Sequence, residues 1–133
     1  MSIRKIRVLV AEDDEVNAAA ARMMLEQLGC SVDVANDGMK ALELFLDCEY
    51  DLILMDWQMP SMDGIEATAR IRAMPCGQAT PIIGTTAGKA HAECLNAGMN
   101  DVVAKPFRFH NMRQVLSRWT RWSGAPEQES GNA

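Results

Sequence analysis

Residues 51–64 read DLILMDWQMPSMDG. Leu52, Ile53, Leu54 and Met55 form an apolar run with no polar member, the pattern of a strand buried on both faces of a parallel sheet. The run closes on a single acid, Asp56. Pro60 follows soon after and cannot belong to a central strand, because it has no N–H for the ladder. Asp56 therefore stands at a strand's carboxyl end. Ligands of open α/β sheets bind along that edge, so a carboxylate there is a candidate for chemistry. An aspartate that merely caps the next loop would look the same locally, and the flanking sequence has to separate the two.

Upstream, residues 6–11 (IRVLVA) are rich in branched side chains and predict a strand that ends in Glu12, Asp13 and Asp14. Three adjacent acids repel one another unless a cation or a helix N-terminus offsets the cost. Residues 16–28 predict a helix, with Val16, Ala20, Met23, Met24 and Leu28 as its apolar stripe and Gly29 as its stop. A strand is expected at 31–35, a turn at Asn36-Asp37-Gly38, and a helix at 39–48 whose buried side is Ala41, Leu42, Phe45 and Leu46.

Downstream, a helix is expected from 65 to about 73 and a loop with Pro75 and Gly77 at 74–80. The strand 81–85 (PIIGT) has Thr86 at its end. A short helix at 89–97 closes on Gly98, and the strand 101–104 (DVVA) is ended by Lys105-Pro106. The last helix, 108 to about 122, is expected to bury Phe109, Met112, Val115, Leu116 and Trp119. Residues 123–133 (SGAPEQESGNA) lack periodicity and read as a disordered tail or linker after a folded domain of residues 4–122. Five strands alternating with five helices predict a three-layer, doubly wound α/β fold with a parallel sheet and right-handed crossovers.

The chain's 133 residues suit one domain, large enough to bury a core without staples. A formal net charge of −5 argues against direct nucleic-acid binding or adhesion to anionic lipid. Apolar runs are strand-sized, so no membrane insertion is expected, and the start MSIRKIRVLVAEDD has no secretory pattern; both point to the cytoplasm. Cys30, Cys48, Cys76 and Cys94 lack metal-ligand or disulfide spacing and read as reduced, mostly buried residues. His91 and His110 fall on helices away from the strand ends and read as surface residues.

In a parallel sheet all carboxyl ends share one edge, so Glu12, Asp13, Asp56, Thr86 and Lys105 converge there. Clustered carboxylates call for a cation, and hard oxygen ligands select Mg²⁺ or Mn²⁺ over zinc. A lysine and a hydroxyl opposite them suit an anion with several acceptor oxygens. Together they read as a site for a divalent metal and a phosphoryl group, with Asp56 as nucleophile. Trp57 lies beside it.

These residues carry a resemblance. VLVAEDDEVN (8–17), DLILMDWQMPSMDG (51–64), PIIGTTAG (81–88) and DVVAKPF (101–107) resemble, in order and separation, the receiver domain of two-component response regulators. The likeness covers residues 4–122. It implies a flavodoxin-like fold with strand order 2-1-3-4-5. It also implies Asp56 as phosphoacceptor, Glu12 and Asp13 as the acidic pair that holds Mg²⁺, and the backbone carbonyl of Gln58 as a further metal ligand. Thr86 matches the switch hydroxyl, Lys105 the phosphate-contacting lysine, and Asp14 a helix cap. The implied partners are a sensor histidine kinase or a histidine phosphotransfer protein, with a protein target downstream. The implied chemistry is signalling rather than that of an enzyme acting on an external substrate, with self-phosphorylation and self-dephosphorylation.

Val102 departs from the pattern, standing where many receivers carry an aromatic three residues before the lysine. Gln58 and Gly88 match positions that tune hydrolysis. The wording VAEDDEVN and GIEATARIR resembles receivers of hybrid histidine kinases.

Three rivals remain on residue grounds. Gly84 to Lys89 (GTTAGK) is one residue short of a phosphate loop, and Ala90 replaces the hydroxyl that would meet Mg²⁺. An aspartyl phosphatase would need a second acid where Gln58 stands. A phosphorylation-independent binding module with this fold is the alternative from another class.

Overall fold

The computed structural model describes residues 5–88 and 90–124. Five strands form one parallel sheet in the order β2-β1-β3-β4-β5: β1 Arg7–Ala11, β2 Ser31–Ala35, β3 Leu52–Asp56, β4 Ile82–Thr86 and β5 Asp101–Ala104. The helices between and after them are α1 Glu15–Gln27, α2 Gly38–Asp47, α3 Gly64–Arg72, α4 His91–Ala97 and α5 Phe109–Trp119. Every residue of β3 and β4 is buried, which explains their unbroken apolar reading.

Alternation along β1 and β3 sorts the core into two layers. Val8, Val10, Leu52 and Leu54 pack with Ala21 and Leu25 of α1 and with Met112, Val115 and Leu116 of α5. Leu9, Ala11, Ile53 and Met55 pack on the other side with Ala41 and Phe45 of α2, Ala67 and Ile71 of α3, and Cys94 of α4. Two helices cover one face and three the other. The expected three-layer doubly wound fold and its strand order are both present.

Helix starts follow one chemistry in the first three. Asp14, Asp37 and Asp63 sit in extended backbone at the N-caps, and their carboxylates accept from the N–H groups of Val16, Lys40 and Glu66 at 3.0, 2.8 and 2.9 Å. The expected cap at Asp14 is therefore observed. The helix expected from 89 begins at His91, because Ala90 is in the left-handed region with φ +61; residue 89 lies outside the described residues. The last helix stops at Trp119 rather than 122. Thr120 turns extended, its hydroxyl donates to the Leu116 carbonyl at 2.7 Å, and the Trp122 indole N–H donates to the Leu28 carbonyl at 2.8 Å. Of the stretch read as tail, Gly124 is buried, and 125–133 lie outside the described residues.

Three stripe assignments need correction. On α1, Val16 is 75% and Met23 58% exposed, while Ala18, Ala21, Leu25 and Leu28 are buried. The sequence reading weighted large side chains, but a helix lying close on a sheet selects small ones at the contact. Leu46 of α2 and Phe109 of α5 are likewise exposed, at 60% and 38%. Among the cysteines only Cys30 and Cys94 are buried; Cys48 is half-buried and Cys76 exposed, and all four are free.

Two devices hold the strand ends in place. Gly64 opens α3 against the end of β3: its N–H donates to the Trp57 carbonyl at 3.1 Å, and a Cβ there would collide with the Asp56 carbonyl oxygen. At the other edge the Arg72 guanidinium donates to the carbonyls of Gly77, Thr80 and Gly98 and to Asn100 Oδ1, at 2.7–2.9 Å. It ties the end of α3, the entry to β4 and the end of α4 into one knot.

Gly64→Ala is expected to lower stability by roughly 2–4 kcal/mol, because backbone must move. Gly29→Ala, at φ +92 with open space around it, is expected to cost only about 1 kcal/mol. Urea unfolding of the two variants checks the difference, and equal losses would contradict the backbone collision.

Candidate functional site

Glu12 follows β1 directly. Its N–H extends the ladder by donating to the Ala35 carbonyl at 2.9 Å, and its side chain is 2% exposed. One carboxylate oxygen accepts from the Asp14 N–H at 3.1 Å; the other meets Lys105 Nζ at 3.0 Å. Asp13 is exposed beside it.

Asp56 is the last residue of β3, paired with Thr85 of β4 and 4% exposed. Its Oδ2 lies 3.1 Å from Lys105 Nζ, and its Oδ1 accepts weakly from the Gln58 N–H at 3.4 Å. Lys105 in turn is fixed through its backbone N–H, which donates to the Thr86 carbonyl at 2.6 Å. One ammonium thus joins the ends of β1, β3 and β5.

Carboxylate oxygens of Glu12, Asp13 and Asp56 all lie within 4.8 Å of one another. Two of these acids are buried and one faces outward, a donor set of hard oxygens with an open side. That chemistry fits Mg²⁺.

Protonation follows from the crowding. Burial, and next the charge of Glu12, push Asp56 up to about 6, against the opposing pull of Lys105. Burial alone would lower Lys105, but hydrogen bonds and charges from Glu12 and Asp56 outweigh it and hold the lysine above its ordinary value. The cluster carries more negative charge than its one lysine can balance, so a second cation would find a ready place.

A cleft at this edge is lined by Glu12, Asp13, Asp14, Asn17, Asp56, Trp57, Gln58, Ala87 and Lys105. The structure therefore brings together Glu12, Asp13, Asp56, Gln58 and Lys105, with Trp57 at the wall. Thr86 is at the end of β4 but not in the lining. It is buried, and its Oγ1 accepts from the Gly88 N–H at 3.0 Å. Beyond it the backbone is unusual, with Gly88 at φ +100 and Ala90 at φ +61. Val102 packs, half-buried, against the core layer of α2, α3 and α4. His91 and His110 are exposed and do not line the cleft.

Asn17 and Ala87 were missed by sequence reasoning. Asn17 falls one helical turn after Asp13, so its place on the first turn of α1 could have been found by counting. Ala87 contributes only as the residue after Thr86, which no side-chain pattern reveals.

Residues 8–117 match the family described as the response regulator receiver domain. The aerobic respiration control sensor protein ArcB of Escherichia coli is 38% identical over 133 residues, covering 98% of this chain but 17% of its own length. This chain thus spans less than a fifth of that relative. The receiver domain of sensor histidine kinase PA1611 from Pseudomonas aeruginosa, solved with a magnesium ion coordinated in its active site cleft, is 39% identical. Its TM-score is 0.83, with 87% of this chain and 98% of that chain covered. The receiver domain of Ssk1 from Saccharomyces cerevisiae, solved with the histidine phosphotransfer protein Ypd1, is 28% identical with a TM-score of 0.81, covering 90% and 92%.

The raised Asp56 makes a linkage prediction. Its pKa of about 6 exceeds the ordinary 3.8, so between these values the folded state holds more proton than the unfolded one. Stability therefore falls as pH rises through that window and stays lower above it. Without metal, Asp56→Asn is expected to be more stable than the native chain at pH 8 by on the order of 2 kcal/mol, a gain that fades below about pH 4. Urea midpoints across pH in chelator check this; a gain independent of pH would contradict it.

Proposed function

Because the chain belongs to the response regulator receiver domain family, a receiver domain of two-component signal transduction, we propose that Asp56 accepts a phosphoryl group from a phosphohistidine. The observation that carries the proposal is the Lys105 ammonium at 3.0 Å from Glu12 and 3.1 Å from Asp56, with Asp13 alongside, at the carboxyl edge of the sheet. One Asp56 oxygen forms the new O–P bond as the donor's N–P bond breaks and imidazole departs, leaving an acyl phosphate. Hydrolysis later releases inorganic phosphate and restores the carboxylate.

Glu12, Asp13, Asp56 and the backbone carbonyl of Gln58 would hold Mg²⁺, which when bound supplies charge neutralisation for the phosphoryl oxygens. Lys105 exchanges one carboxylate partner for a phosphoryl oxygen, a short movement from its present position. Thr86 gives up its bond from the Gly88 N–H and turns its hydroxyl toward the same group. The loop after β4 is then released, and with it the face formed by α4, β5 and α5. With Val102 in place of an aromatic, the loop carries the signal.

The partners that fit are a sensor histidine kinase or a histidine phosphotransfer protein, and a protein target. The yeast receiver's complex with Ypd1 and the sensor-kinase relatives support this. The relatives' length supports origin in a hybrid kinase. Among the described residues no helix is long and apolar enough to cross a membrane, which is compatible with a cytoplasmic place for this domain.

Incubation with acetyl phosphate and Mg²⁺ is expected to add the mass of one phosphoryl group to this chain and none to Asp56→Ala, and chelator is expected to abolish the gain. If neither acetyl phosphate nor a phosphorylated histidine protein yields an adduct, the domain acts as a phosphorylation-independent binding module. Trp57, half-buried at the cleft wall, is expected to change its emission on addition of Mg²⁺ and beryllofluoride. Constant emission would place ligand binding elsewhere.

A further inference from the structure

The four cysteines fall into two pairs. Cys30 and Cys94 are buried, one in each core layer, and burial pushes the Cys30 thiol up to about 11 and raises Cys94 as well. Thiols so placed are inert packing groups. Cys48, half-buried, and Cys76, exposed, instead line one cleft of about 420 Å³ together with Asp47, Glu49, Asp51 and Thr80. Asp51 stands just before β3 and Thr80 just before β4, so this cleft lies at the amino edge of the sheet, opposite the edge that carries Asp56.

Two chain turns bring the thiols there. Cys48 is the C-cap of α2, where extended backbone leads the chain off toward β3. Cys76 is the middle residue of a single 3₁₀ turn, Pro75–Gly77, between α3 and β4. Cys48 has a cationic partner. Arg7, at the start of β1, sits over the Tyr50 ring at 5.3 Å from its centre, and a hydrogen bond with Cys48 is the largest of the causes that hold this guanidinium above its ordinary value. Asp33 meets the same guanidinium at 3.6 Å. The Tyr50 hydroxyl, which donates to Asp33 Oδ2 at 2.7 Å, is also within hydrogen-bond reach of the sulfur. Asp47 and Glu49 add negative charge to the cleft, and Arg7 is the cation that touches the thiol. A cationic donor beside a partly exposed sulfur is the setting of reactive cysteines, and a second thiol on a shared cleft is that of a resolving one.

We propose that Cys48 is an oxidant-sensitive modification site that reacts with hydrogen peroxide, and that Cys76 resolves it to an intramolecular disulfide. The Cys48 thiolate attacks one peroxide oxygen; an S–O bond forms as the O–O bond breaks, and the departing hydroxide takes up a proton, leaving a sulfenic acid. The Cys76 thiolate attacks that sulfur, the S–S bond forms as the S–O bond breaks, and the second hydroxide leaves as water. Two thiols are oxidised, and one peroxide is reduced to two waters. The bridge ties the end of α2 to the turn before β4 and takes the Cys48 sulfur from Arg7. The proposal goes beyond the role of Asp56 and does not rest on it.

The test uses the whole chain. In the native state iodoacetamide is expected to label Cys48 severalfold faster than Cys76, read by peptide mapping, although Cys76 is the more exposed; exposure alone predicts the reverse. Arg7→Gln is expected to abolish that preference. Because Arg7 also meets Asp33 and Tyr50, circular dichroism melting checks the variant, and should it fail to fold, the labelling ratio in the native chain decides. Stoichiometric hydrogen peroxide is expected to remove two hydrogens from the intact mass and to yield a linked Cys48–Cys76 peptide, with Cys30 and Cys94 alkylated only after unfolding. In Cys76→Ser, dimedone is expected to trap sulfenic acid at Cys48; in Cys48→Ser, neither product forms. Labelling of Cys48 no faster than of Cys76, sulfenic acid arising first at Cys76, or disulfide-linked dimers in place of the Cys48–Cys76 peptide would each overturn the proposal. None of these readouts involves Mg²⁺ or phosphorylation, so they stay distinguishable from failure of the Asp56 reading.

Discussion

The Lys105 ammonium between Glu12 and Asp56 is the contact on which the rest of the structure turns. Three strands end there, and a largely buried cation meets two buried carboxylates. Such clusters are poor stabilisers. Removing the ions from water costs several kcal/mol each, and mutual attraction rarely returns more than that. Here the imbalance has a direction, because the carboxylates outnumber the lysine and Asp13 adds another at the rim. The raised proton affinity of Asp56 expresses the same excess. What weakens the apo domain is therefore what would draw in a divalent cation and, through it, a phosphoryl group.

The fold supplies rigidity where that cluster needs it and withholds it next door. Asp56 is set by a fully buried strand and by Gly64, which lets α3 begin against its carbonyl. Lys105 is set by its backbone bond to Thr86. Between them, the loop after β4 has a left-handed alanine, a left-handed glycine and a helix start with no side-chain cap. The far end of α4 is fastened, since Arg72 grips Gly98 and Asn100.

Most of this was legible in the sequence because the informative residues are backbone-determined. Apolar runs ending in Glu12, Asp56, Thr86 and Lys105 can only converge in a parallel sheet, so topology placed the site before any side chain was located. The failures have a common cause of the opposite kind. Val16, Met23, Leu46 and Phe109 were assigned to the core on hydrophobicity, yet each is exposed. Helical periodicity permits more than one apolar row, and the choice belongs to the partner surface; Ala18 and Ala21 won on α1 because a close sheet admits little volume. Asn17 was missed because its role comes from standing one turn above Asp13, where a polar residue reads as surface. That Thr86 would be absent from the cleft lining, its hydroxyl oxygen accepting from the Gly88 N–H, was not readable at all, since it depends on one rotamer.

That rotamer sets the energy scale of switching. Leaving it would forfeit one ordinary hydrogen bond, about 1 kcal/mol, and a rearrangement that took Ala90 out of the left-handed region would return roughly 1–2 kcal/mol. On the proposed mechanism, the two charge-assisted bonds that Thr86 and Lys105 would make to a phosphoryl group, at about 1.5–3 kcal/mol each, outweigh the one that Thr86 would give up. Moving a two-state element from 1:99 to 99:1 takes about 5.5 kcal/mol, close to what those two bonds can supply together. An inward-turning aromatic at 102 would add a packing term to the balance; Val102, already packed against the core, adds little. On the proposed mechanism the loop must start near balance for phosphorylation to move it, and the left-handed Ala90 supplies the backbone strain there, Gly88 adopting its φ without such a cost.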